Sequence, residues 1–79
     1  MTDTTPSAAD LARLHAEWQE IHDRLRKQEQ VLSEQIERYV RGAAARPDAL
    51  IEEVQRMRAD CAHRFQQLME AVRADGSGP

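Results

Sequence analysis

Three histidines, one cysteine and a set of scattered carboxylates are the residues of this chain that could do chemistry. His15 and His22 stand seven positions apart, which is about 10 Å along a helix and too far for one metal ion to bridge. The Glu-x-x-His motif that holds metal pairs inside helical bundles would need a glutamate at position 19, where the chain has Gln19. Asp60 and His63, three apart, read as a surface pair. Cys61 falls on an apolar helical stripe, so it reads as a small packed hydrophobe, and burial without a nearby cation opposes thiolate formation. No glycine-rich phosphate loop, paired catalytic carboxylates or zinc-type spacing is present. The expectation is a non-enzymatic protein with no catalytic residue, no metal and no cofactor.

One further cluster has chemical potential. Arg38, Arg41 and Arg46 fall in a short stretch with no acid between them, making a locally basic tip and a possible nucleic-acid contact. Dimeric helical hairpins that bind structured RNA, the Rop-like bundles, give this alternative a precedent. Against it stands the whole-chain balance, a net charge of −3 and a pI near 5.5, which opposes general affinity for nucleic acid or anionic membranes. Arginines near a helix C-terminus also complement the helix dipole with no ligand present.

The tip lies in Arg41-Gly-Ala-Ala-Ala-Arg-Pro-Asp48, the internal stretch with strong stop and start signals. Gly42 suits the left-handed conformation that ends a helix, and Pro47 suits the first turn of a new one. Pro47 also pushes Arg46 towards extended geometry. These signals predict an all-α antiparallel two-helix hairpin, with a helix over 6–41, a bend over 42–46 and a second helix over 47–74. Residues 1–5 are expected to fray and 75–79 to form a flexible tail. Thr5 before Pro6, and Ser7 with Asp10 in capping-box spacing, are alternative starts for the first helix.

Apolar residues of the first helix fall at Leu11, Leu14, Trp18, Ile21 and Leu25, a coiled-coil-like heptad stripe. The stripe breaks at Gln28 and resumes at Leu32, Ile36, Tyr39 and Val40. In the second helix the stripe runs Leu50, Val54, Met57, Cys61, Phe65, Leu68 and Val72, closer to an 11-residue repeat with little supercoil. Acid-before-base pairs such as Glu20/Arg24 and Glu37/Arg41 mark the solvated faces, each worth about 0.2–0.5 kcal/mol.

A flush turn over 42–46 would pair Tyr39 with Leu50, Ile36 with Val54, Leu32 with Met57, Leu25 with Phe65, Ile21 with Leu68 and Trp18 with Val72. Gln28 would meet Cys61. In that register Leu14 and Leu11 would face Gly76 and Pro79, beyond the second helix and without a partner. Val31, Val40, Ile51 and Met69 would lie at the incompletely covered edges of the stripes. The expected consequence is assembly, either as a homodimer forming a four-helix bundle or with a helical partner protein. Leu11, Leu14, Trp18, Val31, Val40, Ile51 and Met69 are the candidate interface.

Total length, two helices, the Arg41-Gly42 stop, the Pro47-Asp48-Ala49-Leu50 start and the amphipathic run from Glu53 to Val72 give this chain a layout. Over residues 11–73 it resembles the small helical-hairpin proteins of type III secretion, the needle subunits and their short co-chaperones. The resemblance implies a protein-binding role such as that of a secretion co-chaperone, and it assigns no individual residue. The N-terminus has no basic-then-apolar leader and no apolar run is long enough to span a membrane, so the expected location is cytoplasmic. With one cysteine no intrachain disulfide can form, and a chain of 79 residues without such a staple commonly gains stability from a partner.

Overall fold

The computed structural model describes residues 7–75, and the expectations for 1–5, for the Thr5–Pro6 start and for the tail after Asp75 lie outside them. Within that range the chain is an all-α hairpin of two antiparallel helices, α1 over Ala8–Val40 and α2 over Asp48–Asp75. Ser7 caps α1. Its hydroxyl accepts from the Asp10 backbone N–H at 3.1 Å, and the Asp10 carboxylate accepts from the Ser7 backbone N–H at 3.1 Å. The two bonds form a capping box that satisfies donors a helix start would otherwise leave bare.

At the other end α1 stops in a Schellman motif. Gly42 takes a φ of +77°, its N–H donates to the Tyr39 carbonyl at 2.9 Å, and the Ala43 N–H donates to the Arg38 carbonyl at 2.8 Å. Pro47 then sits just before α2, and its carbonyl accepts the first helical bond, from the Ile51 N–H at 2.9 Å. Arg46 Nε donates to the Asp48 carboxylate at 2.7 Å and ties the two sides of that start together.

Between the two caps the connection does not cross flush over the tip. It runs back along the flank of α1, so that Ala44–Leu50 lies beside Val31 and Gln35. Extended chain advances about 3.3 Å per residue against 1.5 Å for a helix, so a few residues of connection displace α2 by several helical residues. The cross-helix contacts record the displacement. Trp18 packs against Phe65, Glu29 pairs with Arg58, Gln28 with Glu53 and Glu17 with Arg64.

The flush register is therefore corrected. Trp18 meets Phe65 where Val72 was expected, a slide of about seven residues or two helical turns. Gln28 meets Glu53 and lines a groove with Met57, so it does not face Cys61. The overhang moves with the slide. Leu11 and Leu14, expected to project past α2, come level with its last turns and are half-buried. The stripe residues that outrun α2 are instead Ile36, Tyr39 and Val40, of which Val40 is 75% exposed.

A body two helices wide is only 18 × 17 Å across, so each helix buries one stripe and no more. Leu25, Val54, Cys61 and Leu68 form that stripe, and Val54, at 1% exposure, is its most enclosed member. Trp18, Ile21, Leu32, Leu50 and Met57 pack partly buried against the central three. Fully burying a side chain such as Val54 contributes roughly 1.5–3 kcal/mol.

Candidate interaction surface

The stripe divides the hairpin into two long sides, and the helices place different residues on each. On one side Trp18 and Leu25 of α1 and Arg58, Cys61, Ala62 and Phe65 of α2 line an open groove of about 360 Å³. Its walls are almost wholly carbon. Trp18 is the centre of a ring cluster, with centroids 5.5 Å from Phe65, 4.9 Å from His22 and 5.9 Å from His15. The tilted rings fit the geometry that aromatic quadrupoles favour. Phe65 and Met69 remain 44% and 39% exposed.

Polar groups flank the groove on this side, and the cross-helix pair among them is closed. Arg58 reaches Glu29 through two nitrogens, Nη2 at 2.7 Å and Nε at 2.8 Å. His22, Arg26, Glu29 and Gln30 line a shallow depression beside the rings. His22 Nδ1 is shielded from solvent, has no hydrogen bond and lies 3.9 Å from the Asp23 carboxylate.

The other side sets charged side chains around an apolar floor of Ile21 and Met57. Ile21, Arg24, Lys27, Gln28, Glu53, Met57 and Asp60 line its groove, of about 500 Å³. Arg64 pairs with Asp60 at 3.2 Å and approaches Glu17 at 3.9 Å, while Arg24 pairs with Glu20 at 2.8 Å. Exposed pairs of this kind contribute about 0–1 kcal/mol each.

The expected interface residues do not gather in one place. Trp18 lies at the heart of the aromatic side, with Met69 and Ile51 on the same flank of α2 as Ala62 by helical position. Val31 lies beside the returning connection, and Val40 sits on the overhanging last turn of α1. Leu11 and Leu14 lie near the open end of the hairpin.

At the bend, Arg41 pairs with Glu37 at 2.7 Å and Arg46 with Asp48 at 2.7 Å. Two of the three tip arginines are thus neutralised by carboxylates just outside the acid-free stretch, and Arg38 is the one whose charge is left for solvent among the described residues.

His15 and His22 are too far apart to share a metal ion, yet their spacing about Trp18, three before and four after, is that of one helical face. That spacing was the available signal for the ring cluster. Among the described residues no group of three or more histidine, cysteine or acidic side chains is placed to hold a metal ion. No described helix is long and apolar enough to cross a membrane. Comparisons with protein-family models, curated proteins and solved structures find no match.

Proposed function

We propose that this chain is a non-enzymatic helical interaction module that self-associates, two hairpins pairing into a four-helix bundle. The observation that carries the reading is the contrast between the single buried stripe and the apolar surface left outside it. Among the described residues four side chains are buried, whereas Val31, Ile36, Tyr39, Val40, Phe65, Met69 and Val72 are exposed. Burying apolar surface contributes roughly 25 cal/mol per Å², and a hairpin has no third layer of its own to supply that cover. A second hairpin supplies it with the same helix-on-helix packing that α1 and α2 already use.

The RNA reading is the weaker one on this geometry, because Glu37 and Asp48 hold two of its three arginines. Sedimentation across a concentration series is the test of self-association. The expected species at tens of micromolar has about twice the 9.0 kDa chain mass, with thermal stability that rises with concentration. A 9.0 kDa species throughout the series would end the proposal.

A further inference from the structure

Resting on that self-association reading, we infer that the second copy seats on the aromatic side, about a twofold axis parallel to the helices, with the two bends at the same end. The choice of side follows from what each would have to desolvate. Interface cores are depleted of charge and enriched in aromatic residues and methionine. The charged side would bring Glu17, Arg24, Glu53, Asp60 and Arg64 out of water. The aromatic side would bring Trp18, Ala62, Phe65 and Met69 with fewer charges, Arg26 and the already paired Glu29 and Arg58. Desolvating charges costs several kcal/mol each unless every one finds a well-placed partner, and apolar groups carry no such penalty.

The occupant follows from self-complementarity. A partner of strongly acidic or basic character would be met by a face of the opposite sign. This side instead carries both signs, Glu29 on α1 paired with Arg58 on α2, and its flanks carry Arg26, Gln30 and Gln55. Amides donate and accept alike, and acid on one helix with base on the other lets the face match a copy of itself. The footprint is also adequate. α2 is about 42 Å long and the body 18 Å wide, so the outline of the face is roughly 750 Å² in projection, room for an interface of the ~800 Å² per partner class.

Direction follows from the cross-helix pairs. In each, unlike residues of α1 and α2 reach one another: Trp18 with Phe65, and Glu29 with Arg58. A twofold axis along the hairpin sets α1 of one copy over α2 of the other at the same level. Trp18 then meets the second copy's Phe65, and Glu29 meets its Arg58. The alternative axis, across the hairpin, lays α1 on α1 and α2 on α2, so neither of these cross-copy pairs forms.

The test has a side arm and a direction arm, both read against the wild-type mass. Ala62→Arg, in the aromatic groove, should raise the dimer dissociation constant at least tenfold with helix content unchanged. Val31→Arg, away from that groove, should change it less than twofold. Equal effects, or a larger one at Val31, would overturn the choice of side while leaving a dimer standing. For direction, Ala45→Cys in a Cys61→Ala background is spin-labelled at the bend. Shared-end packing gives a label separation under about half of the 61 Å long axis; opposed ends give a separation approaching that axis and would overturn the arrangement. A wild-type chain that is monomeric by mass removes the self-association reading itself, a result distinct from either arm.

Discussion

The aromatic and charged sides of this hairpin flank the same buried stripe, yet they hold the helices together by different means. One side interlocks Trp18 with Phe65 over an apolar groove. The other reaches across with Gln28 to Glu53 at 3.4 Å and Arg64 to Glu17 at 3.9 Å, contacts long enough that water competes for each group. Carbon surface gains from being covered further, whereas solvated charge is already satisfied. The difference teaches where a small helical protein keeps its unspent capacity for association.

Truncation on the aromatic side should separate the two most strongly. Trp18→Ala is expected to lower unfolding free energy by about 3 kcal/mol at fixed chain concentration, read by denaturant titration. Phe65→Ala should cost less because Phe65 is already 44% exposed, and the double mutant should reveal about 1 kcal/mol of ring coupling. Purely additive losses would break the claim that the rings act as a unit.

The bend serves both sides, so a change there should weaken the hairpin without favouring either. No atom lies within 4 Å of a Cβ built on Gly42, which leaves backbone strain at φ +77° as the cost. Gly42→Ala should therefore lower stability by about 1 kcal/mol, with Gly42→Asn losing less.

Substitution on the charged side should matter least among the cross-helix contacts. Glu17→Gln and Glu53→Gln are each expected to change stability by less than about 0.5 kcal/mol, and added salt should erase the difference. A loss comparable to that of Trp18→Ala would dissolve the distinction between the sides.

The smallest effect concerns neither groove. The Ser7 backbone N–H, then the Ser7 hydroxyl and the Arg13 charge, hold the Asp10 carboxyl below its ordinary value of 3.8, against a slight opposing effect of desolvation. A depressed folded-state pKa contributes stability above the unfolded value and loses it as pH falls through the folded one. Amide exchange in the first turn of α1 should accelerate as pH drops below about 3.8; Ser7→Ala, which keeps the backbone N–H, should weaken that dependence and Asp10→Asn should remove it. A rise in protection on acidification would reverse the assignment.

Much of this fold was legible before any coordinates. Gly42 and Pro47 marked the bend because each has a backbone restriction that a continuous helix cannot accommodate, and the heptad spacing marked the stripes. The register was not legible. Pairing apolar residues across a flush turn gave a self-consistent set of layers, but Ala43–Pro47 carries no side-chain signal for how far it descends along α1. The site was legible in part. Trp18 falls among the candidate interface residues, whereas Phe65 appears only as a stripe position and Ala62 belongs to no apolar pattern. Their significance depends on what stands level with them on the other helix, which spacing within one helix does not encode.

The descending connection has a consequence for how the chain stores positional information. Apolar stripes spaced by threes and fours work like the teeth of two racks: they engage in more than one register. The stripes thus specify that the helices mesh, and the Schellman turn with the few residues after it specifies on which tooth. Lengthening or shortening Ala43–Pro47 would re-index every layer from Leu11 to Val72 while leaving the helices themselves untouched. The address of each core residue is held by a segment that contributes almost nothing to the core.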